Sequence, residues 1–296
     1  REDLAEHAPE WVEPVKTAYK GYEVWEIPPN TQGIVALMAL NILGGDDFGA
    51  NPRLSAEVVH LVAEALKLAF ADAYEHIADP AWMRVRVEEL LSEAYARERR
   101  AQIRPDAAIQ SPTPGLPRPG GTVYLAAADE SGMMVSFIQS NYMGFGSGLV
   151  VPGTGIALQN RGVGFTLEEG HPNVVEGGKR PFHTIIPGFL SRDGEALCAF
   201  GVMGGDMQPQ GHVQVLINMI DYRMNPQTAL DAPRIKVLGG PKLAIEPGFG
   251  AEVARRLEEL GHQVTIEFQA GTFGGGQIIW RDETTGAFIG GTGPGN

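Results

Sequence analysis

Pro105, Pro112, Pro114, Pro117 and Pro119 punctuate residues 104–121, a stretch with almost no apolar pattern. Proline fixes φ and removes an amide donor, so such a stretch can continue neither a helix nor a central strand. It reads as an exposed, extended linker. The pattern before it is mainly helical and the pattern after it mainly β, which predicts an α+β chain made of two parts, residues 1–121 and 122–296.

In the first part, residues 1–20 are polar and irregular and read as loop. The first residue is Arg, which suggests a segment that begins partway through a longer protein. Gly21–Ile27 alternates as a strand and stops at Pro28-Pro29. After Asn30-Thr31-Gln32-Gly33, the apolar run Ile34–Leu43 reads as a buried helix ended by Gly44-Gly45. A long helix follows Pro52, with Ser55 as N-cap and a core stripe of Val58, Leu61, Val62, Ala65, Leu66 and Ala69. Glu64, Lys67, Asp72 and Glu75 lie off that stripe and read as its solvated face, with His60 and His76 as ordinary helix residues. A charged amphipathic helix is expected over about 87–103.

In the second part, Thr122–Ala128 and Met134–Gln139 flank the turn Asp129-Glu130-Ser131-Gly132, which predicts a hairpin with Asp129 as a turn residue. Gly144-Phe145-Gly146-Ser147-Gly148 lacks the lysine of a phosphate loop and reads as close backbone packing. Further strands are expected near 155–159, 185–190, 196–202, 263–268, 277–280 and 287–289, with helices near 208–223 and 250–260.

Composition excludes several classes of function. A net charge of −13 argues against a nucleic-acid or anionic-membrane partner, since either needs a basic face. Cys198 is the only cysteine, so the chain has no internal disulfide and no cysteine metal site, and its apolar neighbours suggest a buried core thiol. No stretch is apolar enough to span a membrane and no signal peptide opens the chain, which leaves cytoplasmic and periplasmic or secreted locations both open.

Thr122 opens an apolar strand behind a Gly-Gly step. If the Gly121–Thr122 bond were cut, Thr122 would carry a hydroxyl and a free α-amine side by side. That amine has a pKa near ~8 and can take the hydroxyl proton. A strand that merely starts with threonine is the plainer reading. Met203-Gly204-Gly205-Asp206 lies between a strand and a helix, where paired glycine amides suit an oxyanion hole or a tight turn. Gly178-Lys179-Arg180-Pro181-Phe182-His183-Thr184 suits an anion site or a solvated loop.

These stretches together resemble the γ-glutamyltranspeptidase family of N-terminal-nucleophile hydrolases. The likeness runs through the Thr-led strand, Phe145-Gly146-Ser147-Gly148, Gly178–Pro181, Met203-Gly204-Gly205, and Ile220-Asp221-Tyr222 with Ala232-Pro233-Arg234. The resemblance implies a four-layer αββα sandwich and a precursor that cuts itself between Gly121 and Thr122. Residues 1–121 would then close a large subunit and residues 122–296 form the small one, with homo-oligomers of such heterodimers possible. Position by position, it makes Thr122 the nucleophile, Ser140 its supporting hydroxyl, and Gly204 and Gly205 the oxyanion-hole glycines.

The expected substrate pocket departs from the family pattern. Gly164 stands where an acidic residue holds the glutamyl amine, Arg161 replaces a glutamine, Tyr142 an asparagine, and His183 and Thr184 a pair of serines. An arginine with no carboxylate beside it would disfavour an ammonium and favour a carboxylate, unless Arg161 is paired elsewhere. The implied function is a γ-glutamyltransferase or glutathione hydrolase on a small γ-glutamyl or related acyl amide. The alternatives are an amidase for an acyl group without the amine, of glutaryl or cephalosporin-acylase type, and a non-catalytic binding homologue. The chemistry requires no cofactor and no metal, and the histidines lack ligand spacing.

Overall fold

A computed structural model describes residue 5 and residues 8–112, 121–269 and 271–293. Its centre is a six-stranded antiparallel sheet with β1 (Val15–Tyr19), β2 (Tyr22–Glu26), β5 (Gly188–Arg192), β6 (Glu195–Val202), β10 (Gly276–Arg281) and β11 (Phe288–Thr292) side by side in that order. Strands from before and after residue 121 therefore share one hydrogen-bonded sheet. The strand β1 falls in a segment that reads as loop. It owes its pairing to β2 across the tight turn at Lys20-Gly21, both of which have positive φ.

Both faces of β6 are covered. On one, Phe200 packs edge-on to His212, and Val202 fills the space left by Gly211. Both partners belong to α5 (Met207–Ile220). On the other, Gly201 accepts the ring of Tyr124, where an added Cβ would stand 2.5 Å from the ring carbons. Tyr124 belongs to the hairpin β3 (Gly121–Ala128) and β4 (Met134–Tyr142), which lies across β6 and β10. Residues alternate faces along a strand, so helix and hairpin occupy opposite sides of the sheet.

On the helical side, α1 (Gly33–Leu43) is buried at every position but Asn41 and packs against β1, β2 and α5. A helix apolar all round has to lie inside, between the sheet and an outer helix. That outer helix is α2 (Ala56–His76), capped by Ser55, whose Oγ accepts from Val58 N–H. The expected helix over 87–103 is two, α3 (Val87–Leu90) and α4 (Glu93–Arg100), because Ser92 caps a new start through Tyr95 N–H at 3.2 Å. A short helix α6 (Pro226–Asp231) and a three-stranded sheet complete the fold. In that sheet β7 (Ile235–Gly239) and β8 (Lys242–Ile245) are antiparallel, and β8 and β9 (Gln263–Ile266) are parallel across α7 (Gly250–Glu259).

The expected solvated face of α2 is instead largely buried. Glu64 and Lys67 are sealed side chains, joined by a 2.6 Å ion pair, and Asp72 is held by Arg99 at 2.9 Å. The linker expectation also changes: Ala108 N–H donates to Leu260 O at 2.7 Å and Ile109 N–H to Glu64 at 2.7 Å, so the first part of the stretch is bound to α2 and α7. Residues 113–120 lie outside the described residues. The strand expected over 155–159 is a single bridge between Val150 and Ala157. Gly146 there packs so closely on the Leu158 carbonyl that no side chain fits.

Candidate active site

Thr122 stands second in β3, at a bulge. The register pairs Gly121 with Tyr142 and Val123 with Gln139, so the single residue Thr122 faces the two residues Ser140 and Asn141. Bulges of this kind re-aim side chains and concentrate near active sites. Ser140 Oγ accepts from Tyr142 N–H at 2.8 Å, and Tyr142 takes a left-handed φ of 77°.

Tyr142 also forms part of the wall of a cavity of about 340 Å³. Arg161, Gly164, His183, Thr184 and Asp206 line the same space. All five pocket residues expected from the sequence thus meet in one cavity, and the Gly121 end of β3 abuts it through Tyr142.

Arg161 lies in a 3-10 turn (Arg161–Gly164), only 9% exposed, with its guanidinium over the Tyr142 ring. Its Nη1 donates to Thr184 Oγ1 at 3.3 Å and its Nη2 to the Ser140 carbonyl at 3.5 Å. Among the described residues, no carboxylate is ion-paired with it. Burial brings its pKa down to about 10.

His183 Nδ1 accepts from Ile185 N–H at 3.2 Å, which puts the ring proton on Nε2. Burial, with Arg161 and Arg180 nearby, lowers its pKa to about 3, so it is neutral at pH 7.

Gly164 has no room for a side chain: an added Cβ would fall well inside contact distance of the Phe182 carbonyl oxygen. Asn173 locks this approach, its Nδ2 donating to Gly164 O at 2.8 Å and its Oδ1 accepting from Phe182 N–H at 3.0 Å.

Gly204 and Gly205 form the turn between β6 and α5 with φ of 124° and 62°, values that suit glycine. Neither N–H donates to any described residue, while both carbonyls accept the first bonds of the helix, from Met207 and Gln208. Two unengaged amides at a helix start can stabilise a developing oxyanion.

Gln32, not singled out from the sequence, ties the turn to the pocket. Fully buried, its Nε2 donates to Gly205 O at 2.9 Å and to Thr184 O at 3.2 Å. The parallel bridge between Thr31 and His183 brings it there. Its one visible signal was the polar run Asn30-Thr31-Gln32 ahead of a helix that is apolar but for Asn41. A continuous set of hydrogen bonds therefore runs from Ser140, which stands across the bulge from Thr122, through Arg161, Thr184 and Gln32 to Gly205.

The basic pair beside the pocket is otherwise engaged. Lys179 sits 5.1 Å over the Trp82 ring, and Arg180 pairs with Asp79 at 3.3 Å and Glu10 at 2.7 Å.

His60, Glu64 and His262 bring three ligand-type atoms within 4.8 Å of one another, the one such group among the described residues. Their atoms are already engaged. His60 Nε2 donates to Arg104 O at 2.7 Å, so its Nδ1 accepts from His262 Nε2 at 2.8 Å. Lys67 Nζ then reaches Glu64 Oε1, the Ile109 carbonyl at 3.3 Å and His262 Nδ1 at 3.4 Å, filling its three donors. An ammonium in the centre of the group leaves little place for a cation.

The sequence model described as Gamma-glutamyltranspeptidase matches residues 1–294. The chain is 37% identical over 270 residues to the glutathione hydrolase-like YwrD proenzyme of Bacillus subtilis (strain 168), covering 90% of this chain and 51% of that protein. It is 38% identical over 267 residues to the acylase ACY 1 proenzyme of Pseudomonas sp. (strain SE83), covering 88% and 47%. A solved structure of cephalosporin acylase from Bacillus halodurans superposes with a TM-score of 0.92 at 52% identity, over 99% of this chain and 53% of that one. The chain thus spans about half the length of the relatives it matches.

Proposed function

The chain belongs to the gamma-glutamyltranspeptidase family, and from that premise we propose that it carries the nucleophile of a self-processing amidohydrolase and acyltransferase. The observation that supports the reading is the pairing of Gly121 with Tyr142, a residue that lines the same cavity as Arg161, His183 and Thr184. Cleavage of the bond before Thr122 would part residues 1–121 from residues 122–296.

The new α-amine of Thr122 takes the proton of its own hydroxyl, and the oxygen attacks the amide carbonyl of the substrate. The Gly204 and Gly205 N–H groups receive the oxyanion, at roughly 3 kcal/mol per donor. The C–N bond breaks, the amine returns the proton to the leaving nitrogen, and the acyl group stays on Thr122 as an ester. Water or an acceptor amine then attacks that ester and frees the threonine. The substrates are γ-glutamyl or related acyl amides, the classes named in the glutathione hydrolase-like and acylase relatives.

Intact mass of the purified protein, together with turnover of acyl p-nitroanilides, tests this. Two fragments meeting at Gly121 and Thr122, and release of p-nitroaniline, are expected. One uncut species, unchanged by Thr122→Ala and inert towards every anilide, would instead fit a binding homologue.

A further inference from the structure

Behind the Gly204-Gly205 turn, four side chains no more than 1% exposed each keep one polar atom without a hydrogen-bond partner among the described residues. The atoms are Glu26 Oε2, Gln32 Oε1, Gln208 Nε2 and His212 Nε2. Polar atoms sealed from water in this way are costly unless something meets them.

The four residues form a closed ring of neighbours. His212 Nδ1 stands 2.6 Å from Glu26 Oε1. Gln208 lies one turn before His212 on α5, and its backbone N–H and Gln32 Nε2 both donate to the Gly205 carbonyl, at 3.0 and 2.9 Å. Gln32 precedes Gly33, where an added Cβ would stand 3.1 Å from Glu26 Oε2.

Their bonding capacities are complementary. Gln32 Oε1 accepts and Gln208 Nε2 donates. A net charge sealed on the Glu26–His212 pair would be expensive, so the pair is held neutral overall, as carboxylate with imidazolium or carboxyl with imidazole. With a proton in the 2.6 Å bond, each neutral arrangement leaves one donor and one acceptor on the outer atoms, Glu26 Oε2 and His212 Nε2. The sum is two donors and two acceptors, which is the bonding capacity of one water molecule.

We propose that Glu26, Gln32, Gln208 and His212 hold one internal water molecule, which locks the Gln32 amide and through it the aim of the Gly204 and Gly205 N–H groups. Internal waters of this kind bridge buried polar groups that have no other partner. A turned Gln32 amide would set its oxygen against the carbonyls of Gly205 and Thr184, and the water bonded to Oε1 opposes that turn. Glu26, Gln208 and His212 are thus positioning residues. The effect on catalysis rests on the acyl-transfer reading above; the water itself does not.

A high-resolution crystal structure of the protein tests the site directly. One peak of density about 2.6–3.2 Å from all four atoms is expected. Direct contact among the four side chains, with no density between them, overturns the proposal. The coupling is tested by a double-mutant cycle of Gln208→Met and Gln32→Leu. Gln208→Met alone is expected to lower kcat for an acyl p-nitroanilide roughly 3- to 10-fold with KM little moved, and to have little further effect once Gln32 is Leu. Loss of the Ile186 N–H bond to Gln208 Oε1 weighs equally in both backgrounds, so equal losses in both overturn the coupling. Should no anilide be turned over, the reaction reading fails by itself, and urea midpoints of the same four proteins decide: non-additive shifts support the shared water and additive shifts overturn it. Should a variant fail to fold, the density in the unaltered protein decides.

Discussion

The side-chain nitrogen of Gln32 stands 2.9 Å from the carbonyl oxygen of Gly205, so the residue ahead of α1 fixes the turn ahead of α5. The same nitrogen reaches the Thr184 carbonyl at 3.2 Å.

Replacing Gln32 with Leu removes this donor from the Thr184 carbonyl and leaves Gly205 O with the Gln208 N–H of the helix start, which costs about 1–3 kcal/mol in a buried place. Denaturant unfolding should show that loss. Because the Gly204 and Gly205 amides then lose their fixed aim, kcat is expected to fall about tenfold or more with KM moving less. An unchanged kcat would remove Gln32 from the site's support.

Thr122→Ala should give a single uncut species by mass and a loss of anilide turnover of at least ~10³-fold, the scale seen when a nucleophile is removed. Thr122→Ser keeps a hydroxyl beside the future amine and is expected to be cut and to retain measurable turnover.

Gly205→Ala puts a Cβ on a residue with φ of 62°, at roughly 1–2 kcal/mol of strain. Gly204→Ala adds a crowded approach, 3.2 Å from Gly274 Cα. Each alanine keeps its N–H but strains the turn that aims it, so both variants are expected to lower kcat, by up to about 10²–10³, the scale of a lost oxyanion donor, with modest change in KM. A KM effect alone would place these glycines outside the reacting centre.

Stability should decline as pH falls from about 6.5 towards 3. His183 and His262 are both held near pKa 3 in the folded state, chiefly by burial, with Arg161 beside the first and Lys67 and His60 beside the second. Unfolded, each binds a proton near ~6.5. Below that pH the unfolded state takes up protons that the native state refuses, and stability is lost until the folded values are reached. Urea midpoints at pH 7.5 and 4.5 measure this, and His262→Phe should flatten the slope.

Zinc or EDTA should leave the melting temperature unchanged. The ligand-type atoms of His60, Glu64 and His262 already serve hydrogen bonds, with Lys67 supplying the positive charge. A rise with zinc that His262→Phe abolishes would show a metal site instead.

The core elements of this fold are legible in the sequence because their signals are local. The Ser55 cap, the apolar run of α1, the hairpin turn at Asp129 and the glycine break before α5 all depend on neighbours within a few residues. The resemblance pointed to five residues, Tyr142, Arg161, Gly164, His183 and Thr184, that line one cavity, whereas their spacing alone places them on no common face.

What escaped depends on distant partners. Glu64 and Lys67 interrupt the apolar stripe of α2 and look solvated, yet His262 and Ile109, far along the chain, make their burial possible. Gln32 has nothing in its flanks to announce that it meets residues 152 and 173 positions away. The closure at Gly164 was hidden for the same reason: the sequence shows a glycine but not the Phe182 carbonyl that leaves it no room for a side chain.

The ladder between β2 and β5 joins Glu23 to Ser191, Val24 to Leu190 and Trp25 to Phe189, one strand from each side of residue 121. A cut before Thr122 therefore yields two polypeptides that are topologically one body: neither can leave without tearing the sheet and baring α1. Made apart, each would present a raw strand edge, so the proposed cut is expected to follow folding of the continuous chain rather than precede it.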